Sequence, residues 1–350
     1  MANHYGALII GAGTMGRNHT QAWQAHPQVE VKAIADIVPG LAAKAADEFG
    51  VAEAVEDYAP LLRRDDIHVV SVCTPPFAHC KPTVDSVGAG KHVICEKPFA
   101  LTVAEAQQMA AAAEAADRYL VMASGRSRYG AASLKAKALI EAGELGNLYH
   151  ARSSQFRQRG RPGVDILKQS TWFLSKQRAG GGALIDIGVY EIDVMLWLLG
   201  NPAVLSVSAT TYQGIGAPRE DVAQEVEDHV ALFCQLEGSR SFSLEIAWSS
   251  HLTGHNTRFV LGDQGGLKFD PLTLMLPPPE GERNCEERQV LEGPDRRRGE
   301  APPALQAAMI DALEGGPPPM TPARDAVVVT QVITAGYESA ATGKPVVLGG

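Results

Sequence analysis

ALIIGAGTMGRN, Ala7 to Asn18, opens with an apolar run, passes through glycines spaced G-x-G-x-x-G and enters a helical pattern. That context gives the spacing its meaning, because each glycine has a separate task where a parallel strand turns into a helix. Gly11 permits the tight turn, Gly13 lets the backbone approach a pyrophosphate, and Gly16 allows the helix to pack closely on the strand. Thr14 and Met15 lie between these glycines, and the helix N-terminus that follows supplies N–H donors and a positive dipole to the phosphates. About twenty residues on, Asp36 ends the next strand, where a carboxylate accepts hydrogen bonds from an adenosine ribose. Ile37, Val38 and Pro39 follow and offer no cation for a 2′-phosphate, which favours NAD over NADP.

Working outward, Tyr5 to Ser124 alternates short β-branched runs (ALII, VEVKAIAD, HVVSVCT, HVICE, YLVMAS) with Ala-rich helical stretches near 16–25, 39–49, 81–89 and 103–116. This is the pattern of a doubly wound parallel sheet. After Arg126 the texture changes. A helix (131–142), a strand (148–156) and a glycine-opened helix lead into alternating polar and apolar runs at 204–212, 226–236, 241–248 and 257–261. Such runs suit an antiparallel sheet with one covered face. The expected fold is an α/β Rossmann domain over 1–125, followed over 126–350 by an α+β domain with an open-faced, mainly antiparallel sheet. Residues 277–303 read as an exposed loop, and Asp325 to Thr342 as a final helix.

The chain has 350 residues, 45% of them hydrophobic, enough for two cores. Its formal net charge of −9 argues against a nucleic-acid binder, and the basic run Arg296 to Arg298 reads as part of a solvated loop. Five scattered cysteines without C-x-x-C suit neither a disulfide framework nor a thiolate metal site. With no export signal and no apolar run of membrane-spanning length, the expectation is a soluble, cytoplasmic protein. His251 and His255 have metal-like spacing but lack a nearby acidic or Cys partner, so no metal is assigned.

Two further stretches carry chemistry. CEKPFA, Cys95 to Ala100, ends a strand, so Glu96 and Lys97 sit at the carboxyl edge of the sheet, where open α/β folds bind ligands. Pro98 cannot continue the ladder and turns the chain away there. GGGALIDIGVYEID, Gly180 to Asp193, places Asp186, Tyr190 and Asp193 at i, i+4 and i+7, a polar stripe on one helical face behind three glycines. An ordinary buried helix with one polar side is the competing interpretation.

Together these motifs, with the TPPFAH turn, AGKHVICEKPFA and LGDQGGLKFDPL, resemble the Gfo/Idh/MocA oxidoreductases across nearly the whole chain. The resemblance implies a Rossmann domain, an open-faced sheet and a substrate between the two domains. It makes Lys97 the catalytic lysine and Asp186 a substrate-binding acid. Tyr190 stands where many members carry histidine, which points towards the tyrosine-bearing glucose-fructose oxidoreductase, dihydrodiol dehydrogenase and xylose dehydrogenase side. The glycines are read as a hinge from which the helix delivers Asp186 and Tyr190, with Asp193 supporting Tyr190 or fixing the helix. The cofactor set is then Gly11, Gly13, Thr14, Met15, Gly16, Asp36, Ile37, Thr74, Pro75, His79, Glu96 and Lys97, with His79 either touching the nicotinamide ribose or serving a local role. Lys97, Arg126, Trp172, Asp186 and Tyr190 form the expected substrate set, Trp172 with Phe173 covering a sugar face or packing domains.

Hydride transfer with a nicotinamide requires a proton to leave or join the reacting oxygen. A phenol near pKa 10 is too weak an acid, but an ammonium about 4 Å away favours the phenolate by about 4 kcal/mol at an effective dielectric near 20. Lys97 could thus activate Tyr190, or carry the proton itself. The expected activity is NAD-dependent oxidation or reduction at a carbinol carbon of a sugar, cyclitol or polyol by a homodimer or homotetramer. A keto-sugar reductase, a trans-dihydrodiol dehydrogenase and a non-catalytic NAD sensor are the alternatives. Replacing Asp36 by Ala together with Ile37 by Arg should raise the NADP-over-NAD ratio of kcat/KM by about tenfold or more. An unmodified protein that binds NADPH more tightly than NADH would contradict the assignment of this strand end.

Overall fold

The computed structural model describes residues 4–217, 219–291 and 304–349; the basic run Arg296 to Arg298 and the later part of the expected 277–303 loop lie outside them. The chain divides into two compact units, 4–126 with 304–330, and 127–291 with 331–349. The first break falls where the texture of the sequence changes. A single cut, however, misses the return of 304–330 to the first unit. Within that segment helix Ala304–Leu313 is largely apolar, the Tyr5 hydroxyl donates to Glu314, and Val121 bridges to Pro322.

The first unit holds a six-stranded parallel sheet of β1 (Tyr5–Ile10), β2 (Val29–Ala35), β3 (Glu53–Val55), β4 (Val69–Val72), β5 (His92–Cys95) and β6 (Leu120–Met122). Their order, β3-β2-β1-β4-β5-β6, reverses direction beside β1, which creates the crevice where dinucleotides bind in this architecture. Helices α1 (Thr14–Gln24), α2 (Leu41–Phe49), α3 (Cys80–Gly88) and α4 (Val103–Ala115) make the crossovers. Every residue of β1 and β4 is buried, as expected of strands covered on both faces. Of this sheet's strands only β3, three residues without a continuous apolar run, went unread in the sequence.

Helix α5 (Ala131–Glu141) and strand β7 (Leu148–Phe156) begin the second unit, followed by the short α6 (Lys176–Ala179) and by α7 (Val189–Leu198). Then come β8 (Val204–Tyr212), β9 (His229–Leu236), β10 (Arg240–Ala247), β11 (Thr257–Gly262), β12 (Gly266–Lys268), β13 (Thr273–Leu276), β14 (Glu286–Gln289) and β15 (Val346–Val347). They form a nine-stranded sheet ordered β14-β13-β12-β11-β7-β10-β9-β8-β15, in which only β7 and β10 pair in parallel. Strand β14 corrects the expectation of a continuous loop from 277. It is wholly exposed and pairs with β13 at the sheet edge, so no burial pattern announces it. One sheet face is buried through Phe242, Leu244, Ile246, Val230, Leu232 and Cys234; the alternating residues Arg152, Phe233, Ser243 and Glu245 are exposed or half-exposed.

The glycine motif is set by close approach. Gly11 has φ +102°, and a Cβ there would fall 2.7 Å from the Cys73 backbone. At Gly16 a Cβ would fall 1.7 Å from the Gly11 carbonyl oxygen, whereas at Gly13 it would meet nothing within 4 Å. Gly16→Ala in a helix interior would ordinarily stabilise by up to about 1 kcal/mol. Here it should instead cost about 1–3 kcal/mol and lower Tm by several degrees, while Gly13→Ala should leave Tm intact and weaken NADH binding. Calorimetry and NADH titration of both variants check this, and an undiminished Tm in Gly16→Ala would refute it.

Candidate active site

In the first unit the N-terminus of α1 is open. Its N-cap is Gly13, no side chain caps it and no acidic residue lies in its first turn, whereas α4 closes its own terminus with a Thr102–Glu105 capping box. The orphan N–H groups of Thr14, Met15 and Gly16 are thus left for an anion. Asp36 stands beside this turn. Its Oδ2 accepts the Ala12 N–H at 2.7 Å and its Oδ1 the Val38 N–H at 2.8 Å. Each carboxylate oxygen keeps a second lone pair for a ribose hydroxyl. Ile37 is exposed, and the space beyond Gly13 is clear, so these residues fit a dinucleotide.

Two residues assigned to the cofactor set turn inward instead. His79 is fully buried, with Nδ1 2.8 Å from the Pro98 carbonyl and Nε2 2.8 Å from the Thr74 carbonyl. Burial lowers its pKa while both carbonyls oppose that shift. The neutral ring that burial favours carries one N–H, and in the tautomer protonated at Nδ1 it donates to Pro98 and links the turn after β4 to the turn after β5. Thr74 is fixed in the same turn by donating to the Ala78 carbonyl.

Glu96 does not project from the sheet edge either. It is 3% exposed; Oε1 lies 3.2 Å from His19 Nε2 and 3.4 Å from Arg126 Nη1, and Oε2 accepts the Lys97 N–H at 2.9 Å. Behind it, His19 Nδ1 meets the Ser71 hydroxyl, which also accepts the Trp23 indole N–H. Burial would raise the Glu96 carboxyl, but His19, Arg126 and the Lys97 N–H together hold it well below the usual carboxylate range. Its partners fix the backbone at Lys97, the residue that follows. Arg126, expected at the substrate, is the most peripheral member of this network.

In the second unit two of the three glycines are contact points and the other closes a helix, which corrects the hinge expectation. Gly180 ends α6 with φ +85°. A Cβ on Gly181 would fall 2.0 Å from the Tyr337 hydroxyl, and one on Gly182 2.0 Å from the Glu227 carbonyl oxygen. The Glu227 carboxylate, buried among them, accepts N–H groups from Gly182 (2.8 Å) and Leu184 (2.9 Å) and the Tyr337 hydroxyl (2.9 Å). Burial raises its pKa although these donors oppose the shift. The segment is held, not swung.

A π-helical turn, Leu184–Gly188, then runs into α7. Within residues 181–196 only Asp186 and Tyr190 escape burial. Asp186 Oδ2 accepts the indole N–H of the fully buried Trp248 at 2.9 Å. Asp193 leaves the expected stripe: it is 0% exposed and receives a two-pronged hydrogen bond from Arg128, at 3.0 and 2.7 Å. The wider π turn changes the angle between residues before and after it, and Arg128 makes burial of the carboxylate tolerable. Glu191 is paired likewise with Arg258, Ser153 and Gln155. Trp172 and Phe173 stack with centroids 3.8 Å apart in the loop before the glycines. Sequence spacing gave no sign of Glu227, Arg128 or Trp248, whose partners are all distant along the chain. Among the described residues no group of three or more His, Cys, Asp or Glu side chains could hold a metal ion.

An NAD-binding Rossmann unit joined to a mainly antiparallel sheet domain defines an oxidoreductase class, and the comparisons with known proteins agree. The oxidoreductase-family model described as an NAD-binding Rossmann fold matches residues 5–124, and the GFO/IDH/MocA C-terminal domain model matches 133–268. The chain belongs to the GFO/IDH/MocA family of NAD-dependent oxidoreductases. It is 27% identical to D-glucoside 3-dehydrogenase of Escherichia coli K12, over 97% of this chain and 96% of that one. It is 30% identical to the rhizopine catabolism protein MocA of Rhizobium meliloti, over 94% and 93% respectively. Among solved structures, levoglucosan dehydrogenase in complex with NADH and levoglucosan matches with a TM-score of 0.86 at 26% identity, covering 99% of this chain and 100% of that one.

Because the Glu96 pKa is depressed in the fold, its stabilising contribution is complete above the unfolded-state value near 4.3 and disappears as pH falls towards the folded-state value. Glu96→Gln should therefore melt below wild type at pH 7, with the gap narrowing below about pH 4. Melting curves across that range test the sign, and a gap that widens on acidification would refute it.

Proposed function

We propose that this oxidoreductase interconverts a secondary carbinol and its carbonyl on a sugar, cyclitol or related polyol, using NAD. The observation that carries it is that, over residues 181–196, only Asp186 and Tyr190 reach the surface, with Asp186 tethered by Trp248. Sugar dehydrogenases among the relatives support the substrate class. Bound NAD supplies a hydride acceptor at C4 of its nicotinamide.

In the oxidative direction the substrate loses a hydride from carbon and a proton from the hydroxyl oxygen. Tyr190 receives that proton, and the Lys97 ammonium stabilises negative charge on the phenolate and the substrate oxygen. Asp186 accepts a hydrogen bond from a neighbouring hydroxyl and so orients the ring. Catalysis by such fixed charges is worth about 2.7–4 kcal/mol per group. A homodimer or homotetramer would cover the open sheet face, where Phe233 is exposed among polar residues. All five cysteines are unpaired, which supports a reducing, cytoplasmic setting, and no helix among the described residues is long and apolar enough to cross a membrane. A small-molecule substrate, rather than nucleic acid, suits the net charge of −9.

A panel of sugars, cyclitols and polyols with NAD, followed by NADH absorbance, tests the activity; no turnover on any carbinol would overturn it. Lys97→Ala should lose about a hundred- to a thousandfold in turnover while NADH still binds. Tyr190→Phe should lose about a hundredfold with an unchanged melting temperature, and Tyr190→His should recover part of it. A fully active Tyr190→Phe enzyme would transfer the proton role to Lys97.

A further inference from the structure

We infer that Trp248 is a positioning residue for catalysis, acting through Asp186; the inference rests on the substrate-binding role proposed for that carboxylate. An indole has one polar atom, a donor, and a buried one must find an acceptor. Trp248 is 0% exposed and gives its N–H to Asp186 Oδ2 at 2.9 Å. The side-chain torsion that turns an aspartate carboxylate is broad and only two-fold, so without a fixed partner the acceptor directions wander. The indole holds one carboxylate oxygen, Oδ2, and so constrains the direction from which a sugar hydroxyl is accepted.

Both ends of this bond are anchored to one place in the chain. The Trp248 backbone N–H donates to the Asp228 carbonyl at 2.8 Å. The Asp228 carboxylate, itself fully buried, accepts the N–H groups of Gly214 and Ile215 and the Gln224 amide. On the other side, Asp186 donates its N–H to the Gly182 carbonyl, and Gly182 donates to the Glu227 carboxylate. Adjacent residues Glu227 and Asp228 thus register the donor and the acceptor against each other. A contact whose two partners share one anchor is preorganised, which is what a substrate-orienting group requires.

The test compares Trp248→Phe, Asp186→Ala and the double variant in steady-state kinetics, with NADH affinity measured separately. Trp248→Phe should lower kcat/KM by about tenfold or more, leave NADH affinity within about twofold, and have almost no further effect once Asp186 is Ala. A purely structural Trp248 would give additive losses. The second readout is spectroscopic: among the four tryptophans, Asp186→Ala should shift one indole 15N–1H resonance and speed its exchange, and Trp248→Phe should delete that same resonance. If the Phe variant fails to fold, a benzothiophene isostere introduced at position 248 removes the N–H alone and gives the same kinetic comparison. Wild-type kcat/KM without the indole N–H, beside an impaired Asp186→Ala, would overturn the positioning role only. Wild-type activity in Asp186→Ala would overturn the proposed site, and this inference with it.

Discussion

A carboxylate cut off from water holds the start of the helical segment on which Asp186 and Tyr190 lie. Glu227 can be buried only because Gly182, Leu184 and Tyr337 all donate to it, and they can reach it only because residues 181 and 182 lack side chains. The run of glycines is therefore a packing requirement. About two turns later the pairs Arg128–Asp193 and Arg258–Glu191 clamp the same helix from other directions. Buried ion pairs contribute little net stability, but breaking one leaves an uncompensated charge, so each of them penalises any other register of α7. The result is a short accessible window, Asp186 and Tyr190, on a segment with almost no freedom to move.

The nucleotide-binding unit uses the same physics differently. Glu96 is internal and charged, held by His19 from α1, by Arg126 and by the backbone of Lys97. One network thus joins the helix that opens at the glycine turn to the strand end that presents Lys97. His79 adds a second tie between the turns after β4 and β5. The groups expected to touch the ligand and the groups that keep those in place are neighbours in sequence, which is why the latter were read as ligand contacts.

The sheet types of both units were legible because burial imposes a period. Fully covered strands read as unbroken apolar runs in β1 and β4, and half-covered ones as alternation in β8 to β10. Where burial is absent the sequence is silent: β3 is three residues long and β14 is wholly exposed. The residues Gly11, Gly16 and Asp36 were legible because a local turn fixes their tasks. By contrast, the partners of Asp186 and Asp193 lie 62 and 65 residues away along the chain, and no local spacing encodes such pairs. The π turn was hidden for another reason, since helical periodicity presumes the regular pitch that it departs from.

The lone parallel pairing in the second sheet has an architectural outcome. Because β7 and β10 run side by side in the same direction, both strands finish at the same end, Phe156 level with Ala247. Two loops therefore emerge together: one that leads through Trp172 to the glycines, and one that begins with Trp248. Backbone pairing between Arg159 and Ser249 carries the partnership just past the strand ends. Loops anchored like this can lengthen, shorten or exchange residues without altering the strands beneath, so changes in ligand preference can accumulate at that rim while the scaffold is inherited intact.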